Sequence, residues 1–338
     1  MIAVIDCGTT NTRIYIVSDE DKIIASGTRE IGVRNTVITG SRDALKNGIE
    51  QLFSDVLKEN KIMANEIIFA IASGMITSEI GLIEIPHIVA PVGIEELSKN
   101  IKIVNDPAVL DIGVPLYFVR GVRNDYGENP TLKDIAKFDF LRGEEVQCMG
   151  ILNEMKPSLP LNVVVLSSHT KIIHLDRQGK IARCMTTISG QFYNALKDAT
   201  NIGKSIVPVK DEKPGGYSYE EIIEIAKKCV ERAGLNRTMF MPRLMQVLLE
   251  TSSDERILFT NAAIAVDDIK TFMEFRSQGY DAENYLFFGH GSRCKLYSHL
   301  IRQEFGKDIK IESIYDEEII AKLTVEGSIA VAGSFFTR

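Results

Sequence analysis

Two hydroxyl-rich turns, one acidic pair and a late glycine pair are the places in this chain whose residue types and spacing suit chemistry. The first turn follows the apolar run at residues 1–5: Asp6 ends that run, and Gly8, Thr9, Thr10 and Asn11 lead into the β-branched stretch 14–17, which reads as a second strand. Such a turn offers backbone N–H groups and hydroxyls to an anion. Asp6 leaves a strand beside it, and a carboxylate so placed can hold Mg²⁺ through water, because Mg²⁺ prefers oxygen ligands and keeps most of its waters. The expectation is a nucleotide-phosphate hairpin with Asp6 at the metal. An ordinary hairpin, in which Asp and Asn serve the turn, would use the same residues.

The acidic pair is Glu144 and Glu145, preceded by Arg142 and Gly143. Val146, Met149 and Ile151 or Leu152 can line one helix face behind it, so the pair reads as a helix start. A carboxylate there complements the helix dipole, worth about 0.3–1 kcal/mol at an exposed site. It would also serve as a general base at the mouth of a cleft. Position alone favours the dipole. Ser78 and Glu79 stand just beyond a nearly all-apolar strand at 66–72, at the end where open α/β sheets place ligands. They are candidates for a substrate site, and a polar loop would explain them equally well.

The second turn, Ser167-Ser168-His169-Thr170-Lys171, lies between apolar strands at 162–166 and 172–176, with a third at 180–185. This repeats the architecture of the opening meander, so the chain reads as two related halves. Ser168, His169, Thr170 and Lys171 suit polar contacts to phosphate or substrate, or hydrogen bonds to their own backbone. His169 and His174 are five apart, which puts them on opposite faces of a strand and excludes a shared metal. Late in the chain a buried strand runs into Gly289-His290-Gly291-Ser292 and then a helix. Glycines there let backbone approach a base or a ribose, giving an adenosine contact or simply a tight connection. Gly203-Lys204-Ser205 is no P-loop, since Asp198 replaces its first glycine, and Cys294 breaks the dinucleotide fingerprint.

The elements that must position these residues follow from periodicity. A third strand at 22–27 precedes a helix at 41–58, capped by Ser41, with Leu45, Ile49, Leu52, Phe53, Val56 and Leu57 on one face. Ser218 and Glu221 form a capping box for a helix closing at Gly234, with Ile222, Ile225, Cys229 and Val230 inward. Residues 220–278 read as mostly helical, as do those beyond 316. Pro157 and Pro160 flank a linker, so the expected domains are 1–156 and 161–338.

Composition narrows the class. The chain has 338 residues, a net charge of −7 and no basic run, which argues against a nucleic-acid surface. No run approaches the roughly 18 apolar residues of a membrane span, and no basic region precedes the first apolar stretch, so a soluble, cytoplasmic protein with no membrane partner is expected. The five cysteines are scattered, without a Cys-x-x-Cys pair, and indicate neither disulfides nor zinc. Oligomeric state is not legible, and a homo-oligomer is left open.

Taken in order, the motifs resemble the actin, hexokinase and Hsp70 ATPase superfamily. Residues 6–12 look like its first phosphate motif, 163–183 like its second, and Gly289 to Ser292 like its adenosine motif. More closely, the chain resembles the 2-keto-3-deoxygalactonate kinases, also called 2-dehydro-3-deoxygalactonokinases. Ala72-Ser73-Gly74-Met75, Leu141-Arg142-Gly143-Glu144-Glu145-Val146-Gln147, His169-Thr170-Lys171 and Ser189-Gly190 carry that resemblance. Where that family usually has Pro-Gly-Thr-His-x-Lys, this chain has Leu166-Ser167-Ser168-His169-Thr170-Lys171, and Gln191 stands where Glu is usual.

The resemblance implies an α/β fold of two ribonuclease-H-like domains with a nucleotide cleft between them. It also implies ATP and Mg²⁺ as cofactors, and transfer of a phosphoryl group to the terminal hydroxyl of a keto-deoxy sugar acid. In that reading Asp6 organises Mg²⁺ and Glu144 is the base, with Glu145 as its alternative. Gly8, Thr9, Thr10, Asn11, Ser168, His169 and Thr170 hold phosphates, and Gly289, Gly291 and Ser292 meet adenosine. Ser78, Glu79, Arg142, Glu145 and Lys171 face the sugar acid. Rival readings are a kinase for another sugar or polyol, and an actin-like ATP-binding regulator without phosphotransfer.

Overall fold

The computed structural model describes residues 1–336; residues 337 and 338, the end of the expected second domain, lie outside the described residues. By its contacts the chain forms two units. The first comprises Met1–Leu159, His174–Cys184 and the segment from Asp316 onward, and the second Pro160–Ile173 with Met185–Tyr315.

The first unit is built on a six-stranded sheet. Its spatial order is Ile23–Arg29, Thr12–Val17, Ile2–Cys7, Ala70–Gly74, Leu116–Phe118 and Lys102–Val104. The opening hairpin is antiparallel, with Asp6 opposite Arg13, while Ile2–Cys7 and Ala70–Gly74 run parallel, with Asp6 beside Ser73. Strand Ala70–Gly74 is buried along its length, as an apolar parallel strand must be. Helix Asp43–Glu59 covers one face and buries all six expected apolar residues. Ser41 acts one residue further out than a standard cap, accepting the Asp43 amide at 3.1 Å.

Strands Ile181–Thr187, Thr170–Leu175, Leu161–Leu166, Asn284–Gly289 and Lys310–Ile314 form the second sheet in that order. In chain order the second sheet reads third, second, first, fourth, fifth and the first reads third, second, first, fourth, sixth, fifth, so the two match over four strands and the first adds a later strand and its antiparallel edge partner Lys102–Val104. The architectural repeat expected from sequence is therefore present in the strand order. Helix Tyr219–Thr238 starts at the Ser218–Glu221 capping box and leaves helical geometry at Gly234, where φ is +75°. Ile223 takes the inward place expected of Ile225, which is exposed.

Two departures concern domain organisation. By contacts the second unit opens at Pro160, and two later segments, His174–Cys184 and that from Asp316 onward, belong with the first unit. The hairpin end 174–184 is held there by Lys180, whose ammonium lies 2.6 Å from Glu96. Asn124 also donates to the Cys184 carbonyl at 2.8 Å and accepts its amide at 2.9 Å. The C-terminal helix Glu317–Phe336 packs on the helix Glu144–Gly150, with Gly150 and Gly327 letting the backbones meet: a Cβ on Gly327 would lie 1.9 Å from the Val146 carbonyl oxygen. That C-terminal helix is long and apolar enough to cross a membrane, contrary to the reading that no run approaches such a length. Leu323, Val325, Val331 and Ala332 are buried on it, so part of its apolar surface serves packing.

Candidate active site

In the first unit, the fold brings the first turn, the end of strand Ala70–Gly74 and the acidic helix start to one place. Gly74 makes this contact sterically necessary. Its φ is +86°, and a Cβ there would lie 2.5 Å from the Cys7 carbonyl oxygen and 3.5 Å from Asp6 Oδ1. Gly143, at φ +106°, packs against the Cα of Gly74, where its own Cβ would lie 3.4 Å away. Two positions that disfavour side chains thus set the start of helix Glu144–Gly150 beside Asp6.

The electrostatics report the same proximity. Burial raises the Asp6 carboxyl above its ordinary value, the Arg13 guanidinium opposes this, and the negative charge of Glu144 adds to it. Arg13 Nη1 lies 3.9 Å from Asp6 Oδ2. Arg13 was not among the expected site residues, although its place opposite Asp6 follows from the hairpin register. The neighbouring Cys7 thiol is pushed up to about 12 by burial and stays protonated.

Glu144 and Glu145 differ sharply. Glu145 is fully buried, and its Oε1 and Oε2 accept the Gly143 amide at 2.9 and 2.8 Å. Glu144 is partly exposed, and its Oε2 accepts the Arg142 amide at 3.1 Å. Arg142 donates through Nη1 to Thr77 Oγ1 at 2.7 Å and through Nη2 to the Ile85 carbonyl at 3.1 Å. Burial lowers its pKa against the charges of Glu145, Glu79 and Glu84. Ser78, expected to face substrate, is buried and donates its hydroxyl to the Met75 carbonyl at 2.7 Å, closing a short 3₁₀ turn. Glu79 is exposed, and its carbonyl accepts from Arg42.

The first turn is held by an element that sequence reading missed. Helix Val33–Thr39 begins against it, the Val33 and Arg34 amides donating to the Gly8 and Thr9 carbonyls at 3.3 and 2.9 Å. Within the turn Gly8 donates to the Asn11 carbonyl at 2.8 Å. With its carbonyls drawn toward that helix, the turn leaves the Thr9, Thr10 and Asn11 amides without an acceptor among the described residues. This is the pattern of an anion-receiving turn.

The second unit holds a cavity of about 460 Å³. The turn residues Ser167 and Ser168, the helix start Ser189-Gly190, and His290, Ser292 and Arg293 form its polar wall. Tyr193, Ile264 and Leu296 supply aromatic and apolar surface. Close packing joins the walls: a Cβ on Gly190 would lie 2.2 Å from the Ser167 carbonyl oxygen, and one on Gly289 2.3 Å from that of Leu166. Ser168 and Ser292 line this one cavity. His169 lies behind Ser168, its Nδ1 3.2 Å from Ser168 Oγ. Thr170 and Lys171 are outside the cavity lining, as are Gly289 and Gly291; Gly291 packs on the ring of Tyr315.

Sequence reading also missed a buried carboxylate behind this cavity. Asp268 accepts the Ser189 hydroxyl at 2.6 and 2.5 Å and the Tyr297 hydroxyl at 2.6 Å. Arg293 completes the set by donating to the Ser167 carbonyl at 2.6 Å and to Thr170 Oγ1 at 2.9 Å. Burial raises the Asp268 carboxyl, against the hydroxyls of Ser189, Tyr297, Thr187 and Thr170. Its position on the long helix Ser253–Ser277 has no local motif, so only the fold identifies it.

Two sheets of matching strand order, each with a hydroxyl-rich turn after its first strand, define an α/β protein of the ribonuclease-H-like, actin-like ATPase fold to which sugar kinases belong. The sequence profile described as 2-keto-3-deoxy-galactonokinase matches residues 6–321, and the chain belongs to that family, as an ATP-dependent kinase of a small sugar acid. A crystal structure of a Sinorhizobium meliloti protein assigned as a 2-dehydro-3-deoxygalactonokinase is similar in fold. It is 16% identical, with 100% of each chain covered and a TM-score of 0.73. The activator of 2-hydroxyisocaproyl-CoA dehydratase from Clostridium difficile, solved with bound ADPNP, is 11% identical; 99% of this chain and 96% of that one are covered, with a TM-score of 0.49. No curated protein matches the chain significantly in sequence.

Proposed function

We propose that this kinase phosphorylates 2-keto-3-deoxygalactonate on its terminal hydroxyl, giving the 6-phosphate, with Glu144 as the base and Asp6 as the metal-organising carboxylate. The observation that carries the assignment is the division of labour in the acidic pair. Glu145 is committed to the Gly143 amide, while Glu144 is partly exposed next to Asp6. Phosphoryl transfer asks the protein mainly for positioning and charge neutralisation. A single carboxylate beside a turn of unengaged amides fits Mg²⁺, which takes few protein ligands. When bound, Mg²⁺ would neutralise phosphate charge.

The chain's own groups do the rest. Thr9, Thr10 and Asn11 receive phosphate oxygens, and Arg13 supplies a fixed positive charge beside Asp6. Glu144 accepts the proton of the sugar hydroxyl as the hydroxyl oxygen bonds to the γ-phosphorus, and the bond from that phosphorus to the β,γ-bridging oxygen breaks to release ADP. Arg142, anchored by Thr77 and Ile85 through two of its five donors, has others for the substrate carboxylate. In the second unit, the cavity takes the nucleoside of ATP, with Ser168 and Ser292 at its polar wall. The cytoplasm, where ATP is supplied, is the proposed compartment.

The test is ADP release with Mg²⁺ and ATP against a panel of keto-deoxy acids, neutral sugars and polyols. The keto-deoxy acid is expected to give the highest kcat/KM, with phosphate on its terminal oxygen. A preferred neutral sugar would overturn the substrate, and ATP binding without any phosphorylated product would overturn the chemistry.

A further inference from the structure

The cavity of the second unit has a direction that the long helix Ser253–Ser277 measures out. Asn261, Ile264 and Asp268 are spaced i, i+3 and i+7, which places them on one face. Asn261 and Ile264 line the cavity. Asp268 marks its turn end, because its carboxylate holds Ser189 beside Gly190 and the Ser167–Ser168 turn. Seven residues at about 1.5 Å rise each put Asn261 roughly 10 Å farther along. That is the reach of a nucleoside from its first phosphate to the far edge of its base.

The opposite wall runs with it. Tyr193 stands one turn beyond Ser189 on helix Ser189–Ala199 and also lines the cavity. The Asn261 amide bears on the Tyr193 hydroxyl, whose pKa burial raises. Beside Asn261 the cavity is thus lined by a tyrosine ring and by Ile264.

The orientation of that amide is dictated by its partner. Asn261 Nδ2 lies 2.9 Å from the Ile257 carbonyl oxygen, which can only accept, so the nitrogen must face it. Oδ1 is left as the atom offered to a ligand. Resting on the reading that the cavity takes the nucleoside of ATP, we infer that Asn261 selects the base, its Oδ1 accepting the exocyclic 6-amino group of adenine. A 6-oxo purine would set a carbonyl oxygen against this oxygen. Asn194, which also lines the cavity, is exposed and makes no side-chain hydrogen bond among the described residues, so it lacks this fixed polarity.

Calorimetric titration of the full chain with ADP, IDP and GDP tests the inference. Wild type is expected to bind ADP on the order of tenfold or more tighter than IDP or GDP, the scale of one well-placed hydrogen bond against a repulsive pair. Asn261→Ala, at a half-exposed helix position where alanine is well tolerated, should weaken ADP and tighten IDP, which no longer meets an opposed oxygen, so that the tenfold preference falls toward one. Asn261→Ser serves as a second truncation, with thermal unfolding to confirm that both variants are folded. If wild type binds ADP but does not discriminate, or if folded variants keep the wild-type ratio, the role of Asn261 is overturned and the nucleotide cavity stands. If wild type binds none of the three, the nucleotide reading itself fails, and the base-selecting role with it.

Discussion

Both carboxylate oxygens of Glu145 accept the amide of Gly143, at 2.9 and 2.8 Å, so the side chain folds back over its own helix start. That bond ties Glu145 to the helix start, while Glu144 is partly exposed with its charge close to Asp6, and in the proposed mechanism Glu144 is the base. Glu144→Gln should therefore lower kcat by about 10²–10⁴-fold while leaving the unfolding temperature near that of wild type. Glu145→Gln should do the converse, costing about 1–3 kcal/mol of stability through a weakened buried bond while largely preserving the chemical step. Initial rates and thermal melts on the two variants separate the roles; the opposite pattern would exchange them.

Asp6 links the site to pH-dependent stability. Its folded-state pKa is raised by burial, with Arg13 opposing and Glu144 adding. The folded protein therefore holds this proton over a pH window in which the unfolded chain has released it. Stability from this group is full below the ordinary carboxylate value and is lost as pH rises toward the raised one. In chelator at neutral pH, Asp6→Asn should melt above wild type, although under the proposed mechanism it should lose activity. Its stability should also depend less steeply on pH through the carboxylate range, with a residual slope from Asp268, whose shift has the same direction. Identical slopes in the two proteins would rule out the raised Asp6.

Gly74 combines φ +86° with a Cβ position 2.5 Å from a backbone oxygen. Alanine there must shift strand Ile2–Cys7 or the Gly143 contact. Gly74→Ala should cost about 1–3 kcal/mol, the scale of a strained left-handed residue, and lower kcat through the displaced Asp6 and Glu144. Denaturant unfolding and single-turnover rates measured together would show whether stability and chemistry fall in step.

Tyr297 donates to Asp268 and touches Thr170 and Arg293, so it ties the two turns of the second unit to one buried charge. Tyr297→Phe keeps the ring and removes those bonds. The expected result is a higher KM for ATP with kcat and the KM for the sugar acid little changed. A variant in which all three fall or rise together would show a general structural role instead.

Much of the architecture was legible because it rests on short-range rules. The apolar face of helix Asp43–Glu59, the capping box at Ser218 and the break at Gly234 are local features of residue type and spacing. The repeated hairpins could be read as well, since each couples β-branched strands to a hydroxyl-rich turn. Helix Val33–Thr39 was not legible: Val33, Thr36, Val37, Ile38 and Thr39 are β-branched, and the segment is helical where its first amides meet the Gly8 and Thr9 carbonyls. Ser78 looked available because it is polar and follows a strand, yet the fold buries it on Met75.

The sequence by itself determined which residues are chemically able: Asp6, the Thr9–Asn11 turn, the Glu144/Glu145 pair, and the Ser168 and Ser292 turns. It also determined the two-half architecture that carries them. Only the tertiary structure decided which member of the acidic pair stands by Asp6, that Arg13 joins it, and that Asp268 holds Ser189 at a cavity that Asn261 lines. The physical reason is that these choices depend on close approach between segments far apart in the chain. Gly143 lies on Gly74 and Asp268 binds Ser189, and neither contact leaves a local pattern in the residues that make it.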